Sequence, residues 1–238
     1  MQRDSSGSNL ESRSDQSSRV CAEDAFPRWD RPDLRSGRCL QLILWLTAAV
    51  QRIGIYGGTF DPIHYGHLIL ARDAIEQLHL ERVVFVPAAL SPHKLEGASA
   101  PAMLRVEMLR AAIAGEPRFS VDEVELQRPP PSFTIDTIEQ FKRRDQGLEI
   151  CYLIGADNVG RLHTWHRIDD LLRQVTLVVL QRGAAEPATA FQTINRRIEI
   201  SATEIRNRVA SGQSVRYLVP PPVAELIEHH RLYQEPNR

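Results

Sequence analysis

At 238 residues the chain is long enough for one domain, or at most two, with a substantial buried core. A net charge of -1 argues against a basic surface for nucleic acid or an anionic membrane, but a small anionic substrate needs only a local cluster of positive charge. Three cysteines without a closely spaced pair indicate a reducing, cytoplasmic compartment and no disulfide framework.

The first fifty residues differ in composition from the rest of the chain. Residues 2–19 are rich in Ser, Arg, Asp, Gln and Asn and contain almost nothing to bury, which predicts disorder. The apolar run 40–50 is too short to span a bilayer and lies too far from the N-terminus for a signal peptide. It is a targeting segment, a helix packed on the domain, or sequence upstream of the true start. We favour the last interpretation, because the pattern of a folded domain begins at Gln51.

From residue 51 onward, short apolar runs alternate with segments of helical periodicity. In chain order the pattern predicts strand 52–56, helix 65–78, strand 82–87, helix 102–114, strand 119–126, helix 134–144, strand 149–155, helix 168–173, strands 175–180 and 197–200, and helices 203–211 and 223–230. Ser132 or Thr134 is expected to cap helix 134–144. This alternation predicts an α/β fold with a doubly wound, mainly parallel, Rossmann-like sheet. Ligands of such sheets bind beyond the carboxyl ends of the strands.

The segment 54–67, Gly-Ile-Tyr-Gly-Gly-Thr-Phe-Asp-Pro-Ile-His-Tyr-Gly-His, follows the first predicted strand. Gly57 and Gly58 allow a sharp turn and a close approach of the backbone to a ligand. The helix that begins near His64 directs free N–H groups and the positive end of its dipole to the same place, which favours a phosphate. His64 and His67 are three residues apart and share a helix face. A metal site would lack a third ligand at helical spacing, and an ordinary turn would not account for the other residues of the segment.

Residues 57–67 resemble the signature of the nucleotidyltransferase superfamily that carries a His-x-Gly-His motif. Three further segments are similar to those of bacterial nicotinate-nucleotide adenylyltransferases, a family of that superfamily. They are Ser-Pro-His-Lys at 91–94, Ile-Gly-Ala-Asp at 154–157 with Trp165 downstream, and Ile-Ser-Ala-Thr-Glu-Ile-Arg at 200–206. The resemblance runs from about Gln51 to Tyr233 and implies that residues 51–238 form a nucleotidyltransferase domain.

The resemblance also implies overlapping groups of site residues. The ATP-binding group is Gly57, Gly58, Thr59, Phe60, His64, His67, Gly155, Asp157, Ser201, Thr203 and Arg206. The catalytic group is His64, His67, Lys94 and Arg206, and the mononucleotide-binding group is Lys94, Thr134, Trp165 and Arg182. Simpler roles compete at some positions: Ser201, Thr203 and Asp157 as helix caps, and Trp165 as part of the core. The run after Arg182, Gly-Ala-Ala-Glu-Pro, departs from the Arg-Pro-Gly of the family.

The implied reaction joins nicotinate mononucleotide to the adenylyl group of ATP, giving deamido-NAD and pyrophosphate. The phosphate of the mononucleotide is already a nucleophile at neutral pH, so neither a covalent intermediate nor a general base is expected. His64 and His67 would donate hydrogen bonds to the reacting phosphates, either protonated or with Nε2–H directed inward. Mg²⁺ is expected with ATP, held mainly by phosphates and water. The expected partners are ATP and nicotinate mononucleotide, without nucleic acid or membrane.

Two alternatives of different class stay open. One is another adenylyltransferase of the superfamily, specific for phosphopantetheine or for nicotinamide mononucleotide. A phosphopantetheine enzyme should lack the segment Pro131–Thr134, whereas acid and amide mononucleotides differ by one group and the sequence does not separate them. The other is a nucleotide sensor without catalysis, which would be expected to have lost His64, His67 or Arg206.

Overall fold

The computed structural model describes residues 51–89, 100–129, 131–183 and 190–234. The predictions for residues 1–50 and the assignment of Lys94 lie outside these ranges. Within them, no helix is both long enough and apolar enough to cross a membrane.

Six strands and six α-helices alternate along most of the described chain. The strands are β1 Arg52–Gly58, β2 Arg82–Pro87, β3 Phe119–Val121, β4 Glu149–Gly155, β5 Thr176–Arg182 and β6 Gln192–Arg196. The helices are α1 Tyr65–Gln77, α2 Ala102–Ile113, α3 Thr134–Arg144, α4 Ile168–Gln174, α5 Ala202–Ala210 and α6 Pro221–His229. A 3₁₀ helix, Ala156–Thr164, follows β4 directly.

All six strands form one parallel sheet in the order β3-β2-β1-β4-β5-β6. The chain runs outward from β1 to β2 and β3, and then returns to place β4 on the other side of β1. The strand order therefore reverses between β1 and β4, which is where parallel sheets of this kind bind ligands. The predicted doubly wound parallel sheet is confirmed.

The sheet is buried on both faces, as a parallel sheet with crossover helices must be. Ile53 and Ile55 of β1 belong to the core cluster on one face, which also contains Ile138 of α3. Tyr56 and its neighbours on the opposite face pack in a second cluster with Leu70 of α1. Because successive side chains of a strand point to opposite faces, β1 contributes to both cores near the centre of the sheet.

Three local predictions are wrong. The strand predicted over 119–126 ends at Val121, because Asp122 turns the chain by accepting a hydrogen bond from the Val124 N–H at 2.9 Å. The last strand is 192–196 rather than 197–200: it pairs only with β5, and Ile194 is its one fully buried side chain. A polar edge strand of this kind has little hydrophobic pattern to detect.

The predicted cap of α3 is also wrong. Phe133 occupies the N-cap position, and no side chain caps the helix. The Ser132 hydroxyl accepts a hydrogen bond from Arg128 instead, at 3.0 Å, and the Thr134 hydroxyl lies 3.4 Å from that of Tyr152. Both hydroxyls are therefore directed to side chains outside α3 rather than to the N–H groups at its start.

Candidate active site

The loop between β1 and α1 forms the centre of the site. At Gly57 a Cβ atom would overlap the hydroxyl of Tyr152 on β4, and at Gly58 it would lie 2.9 Å from the ring of Phe60. Phe60 itself has a positive φ of 50°, an uncommon conformation for a residue with a side chain. Aromatic rings of the protein therefore leave no room for a side chain at either glycine. This constraint adds to the close approach of a ligand that the sequence predicts at the same positions.

The histidine pair is held by the start of α1. His64 is the N-cap, in extended conformation, and its main-chain N–H donates to Nδ1 of His67 at 3.3 Å. The two rings stack with centroids 3.7 Å apart. Because Nδ1 of His67 accepts a hydrogen bond, a neutral His67 carries its proton on Nε2 and can donate it outward.

His64 is uncharged in this environment. Its side chain is fully buried, and burial followed by the nearby positive charge of Arg182 lowers its pKa to about 3. Neither ring nitrogen has a hydrogen-bond partner among the residues described by the structure. The sequence left a protonated form open, and the structure corrects this for His64. At neutral pH it can donate only as a neutral imidazole.

The N-terminus of α5 meets the same loop from the far end of the sequence. Ser201 is the N-cap predicted from sequence, and its hydroxyl accepts a hydrogen bond from the Glu204 N–H at 3.1 Å. Thr203 does not cap the helix; its hydroxyl accepts from Nη2 of Arg206 at 3.2 Å. Nη1 of Arg206 donates to the main-chain oxygen of Asp61 at 2.8 Å. A fixed positive charge is thereby brought to the loop of His64 and His67.

The ends of β4 and β5 complete this half of the site. A Cβ atom at Gly155 would overlap a carboxylate oxygen of Asp157, so the side chain of Asp157 lies directly over the end of β4. Gly155 is the N-cap of the 3₁₀ helix and Asp157 lies in its first turn, so the capping role considered for Asp157 is wrong. Arg182 donates to the main-chain oxygen of Ile200 at 2.8 Å, and its charge acts on His64. It therefore lies on the side of the histidine pair.

Thr134 and Trp165, two of the four residues predicted to receive the mononucleotide, lie around Tyr152, whose core cluster is on the face of the sheet opposite that of Tyr56. Trp165 packs edge-on against Tyr152 with ring centroids 6.2 Å apart, and its buried indole N–H has no partner among the described residues. Thr134, at the start of α3, lies near the Tyr152 hydroxyl. Because that hydroxyl also fills the space beside Gly57, Tyr152 connects this group with the loop of the histidine pair. Sequence analysis missed Tyr152, whose only signal is a polar-tipped ring in a buried strand.

A buried polar cluster behind the start of α3 was also missed. The Thr137 hydroxyl donates to a carboxylate oxygen of Glu125 at 3.0 Å and accepts from Arg128 at 2.6 Å. Burial raises the pKa of Glu125 to about 7, and the hydrogen bond from Thr137 only partly offsets this. The cluster therefore places an ionisable group with a pKa near neutral, Glu125, in contact with Thr137, which lies one turn along α3 from Thr134.

Comparison with known proteins places these features in a family. Residues 55–208 match the family model described as cytidylyltransferase-like. A probable nicotinate-nucleotide adenylyltransferase of Exiguobacterium sibiricum is 44% identical over 187 residues, which cover 76% of this chain and 98% of that protein. The chain belongs to the nicotinate-nucleotide adenylyltransferase family.

Further relatives agree with this assignment to the adenylyltransferase family. A probable nicotinate-nucleotide adenylyltransferase of Thermus thermophilus is 43% identical, covering 77% of this chain and all of that one. A Plasmodium falciparum nicotinic acid mononucleotide adenylyltransferase, solved in complex with NaAD, superposes with a TM-score of 0.66 at 18% identity. That superposition covers 78% of this chain and 98% of the other, and it supports the fold of the adenylyltransferase domain.

Among the described residues, no group of three or more His, Cys, Asp or Glu side chains is placed to hold a metal ion. The two histidines contact each other by ring stacking and through a main-chain N–H.

Proposed function

We propose that this protein transfers the adenylyl group of ATP to nicotinate mononucleotide, producing deamido-NAD and pyrophosphate. One observation carries the proposal: Arg206 of α5 donates a hydrogen bond to the main-chain oxygen of Asp61, in the loop that leads to α1. This contact brings the N-termini of α1 and α5, a permanent cation and the histidine pair close together at the same edge of the sheet. Two helix N-termini and a guanidinium together suit a polyanion such as a triphosphate.

In this proposal the triphosphate of ATP lies between the start of α1 and the start of α5. His64 donates as a neutral ring, since its pKa is about 3, and its partnerless nitrogens would gain a hydrogen bond from the bound phosphate. His67 donates from Nε2, and Arg206 offsets charge on the departing pyrophosphate. Gly155 and Asp157, at the end of β4, are suited to the ribose hydroxyls of ATP.

The reaction needs positioning and charge stabilisation rather than proton transfer. A phosphate monoester is already ionised at neutral pH, so its oxygen can attack the α-phosphorus of ATP without a general base. The bond to the β-phosphate breaks as the new one forms, and pyrophosphate leaves with the electron pair. An uncharged, buried His64 agrees with this scheme, because the scheme asks it to donate a hydrogen bond and never to accept a proton.

We assign the mononucleotide to the Trp165 side of β1 and β4. The indole can stack on a flat pyridine ring, and free N–H groups at the start of α3 near Thr134 can bind a carboxylate. The α-phosphate and the mononucleotide phosphate would then meet above Gly57, beside Tyr152. Lys94 and Arg182 remain proposals as phosphate-binding cations, and Arg182 lies nearer the ATP half.

Mg²⁺ is proposed as the companion of ATP. The loop carboxylate of Asp61 accepts hydrogen bonds from the Tyr233 hydroxyl and the Ala100 N–H, so it is engaged in holding the loop. Phosphate oxygens and water are then the natural ligands of the ion, which would neutralise charge on the leaving pyrophosphate. The absence of paired cysteine motifs supports a reducing cytoplasm as the site of the reaction.

Pyrophosphate release from ATP, measured with nicotinate mononucleotide, nicotinamide mononucleotide and phosphopantetheine in turn, tests the proposal. We expect turnover with the nicotinate form and much lower kcat/KM with the amide and with phosphopantetheine. Preference for the amide, or for phosphopantetheine, would change the substrate and keep the reaction class. ATP binding without turnover on any acceptor would support a nucleotide sensor instead.

A further inference from the structure

Asp61 is a buried carboxylate on which distant parts of the chain converge. It is 5% exposed. The hydroxyl of Tyr233, beyond the end of α6 and 172 residues away, donates to its Oδ1 at 2.6 Å, and the Ala100 N–H donates to the same oxygen at 3.2 Å. A carboxylate buried to this degree requires such donors, because it has lost most of its hydration.

Asp61 is also the residue to which Arg206 donates a hydrogen bond. The guanidinium binds the main-chain oxygen of Asp61, while Tyr233 binds the side chain of the same residue. Burial first, and then the charge of Asp61, raise the pKa of Tyr233 well above its usual range. The hydroxyl therefore keeps its proton and remains a donor at neutral pH.

A buried cation, Arg105, donates to main-chain oxygens near Asp61. It is 1% exposed and donates to Thr59 at 2.7 Å, to Ala88 at 2.9 Å and to Ala100 at 3.3 Å. These contacts tie the loop before Asp61 to the segment after β2 and to the residue whose N–H donates to the Asp61 carboxylate. The charge of Asp61 also acts on Arg105, while the hydroxyl of Tyr233 donates directly to the Asp61 carboxylate.

We propose that Tyr233 is a positioning residue for Arg206: its hydrogen bond to the Asp61 carboxylate keeps that carboxylate from drawing the Arg206 guanidinium away from the triphosphate. Without the hydroxyl, Oδ1 of Asp61 loses a hydrogen bond of 2.6 Å. Arg206 already touches the same residue and is a stronger donor to a carboxylate than a phenol is. The inference rests on the proposed function for the role of Arg206 in holding ATP.

Tyr233→Phe tests this role, because it removes the hydroxyl and keeps the ring. Tyr217→Phe is the matched control, since Tyr217 is 76% exposed and its hydroxyl can be removed without emptying a buried contact. We expect Tyr233→Phe to lower kcat/KM for ATP about tenfold, the effect of losing a charged hydrogen bond. The KM for nicotinate mononucleotide should stay within twofold, and the control should match the wild type.

A double-mutant cycle separates positioning from a merely structural effect. In the background Arg206→Ala, the substitution Tyr233→Phe should have no further effect on kcat/KM or on ATP affinity measured by titration calorimetry. The same tenfold loss in both backgrounds would overturn the proposal, since a general loss of folded protein acts equally in both. Wild-type values in Tyr233→Phe would overturn it as well.

The affinity cycle also separates this inference from the proposed function. A wild-type chain that binds ATP but transfers nothing to any mononucleotide would overturn the proposed reaction, while the coupling between Tyr233 and Arg206 in ATP affinity would still be measured. A wild-type chain that does not bind ATP would overturn both.

Discussion

Acidification should destabilise this protein through His64 in particular. Its pKa in the folded chain is about 3, because burial and Arg182 oppose the charged form, against 6.5 for an exposed histidine. The unfolded chain therefore binds a proton that the folded chain does not, so stability is lost as pH falls below about 6.5. The full difference between the two pKa values corresponds to about 5 kcal/mol in the free energy of unfolding. About 2 kcal/mol of this stability is lost when the pH has fallen to about 5.

Urea unfolding of the wild type and of His64→Asn between pH 5 and 8 measures this loss. The substitution changes stability at every pH, but only the wild type should lose the additional amount of about 2 kcal/mol between about pH 8 and pH 5. His163→Asn, at an exposed position, is the control and should follow the wild type. Equal pH dependence in wild type and His64→Asn would refute the reasoning, as would a His64 NMR resonance that titrates above pH 6.

Three further predictions concern the loop, the histidine pair and the buried acid. Gly57→Ala should cost about 1–3 kcal/mol in urea unfolding through overlap with Tyr152, and Tyr152→Phe should recover part of it. His67→Ala should keep the circular dichroism spectrum of the wild type and lower kcat at least about a hundredfold. The control, His163→Ala, should keep both the spectrum and the kcat of the wild type. Because the pKa of Glu125 is raised, the folded chain favours its protonated form, and this contribution to stability is lost as pH rises through 7. Glu125→Gln should therefore unfold with a larger free energy than the wild type at about pH 8, by up to about 3 kcal/mol. At about pH 4 the variant should have no such advantage.

The uncharged state of His64 changes how the site is expected to work. A neutral donor offers less attraction to a free triphosphate than an imidazolium would, but it needs no proton from solution and works equally at pH 6 and pH 9. Permanent charge is then the task of arginine, whose guanidinium stays protonated throughout this range. We therefore attribute electrostatic stabilisation mainly to Arg206, and orientation of the α-phosphate to the histidine pair.

The segment 57–67 illustrates what a sequence can determine. Its glycines, its histidine spacing and the strand before it act within one turn of chain, so local rules suffice to predict a phosphate-binding loop at the start of a helix. The order of apolar strands and amphipathic helices likewise predicts the parallel sheet, because crossover helices must cover both faces. The edge strand 192–196 was misplaced for the converse reason: with one face and one edge exposed, it needs little apolar sequence.

Sequence alone determined the class of fold, and it predicted a phosphate-binding loop and the residues around it. Only the tertiary structure decided that Arg206 rests on Asp61, that Tyr152 fills the space beside Gly57, and that His64 is neutral while Glu125 titrates near pH 7. The physical reason is common to all of them. Hydrogen bonds between residues far apart in the chain, and the loss of hydration that moves a pKa, depend on which groups become buried together. The spacing of residues along the chain does not contain that information for polar side chains.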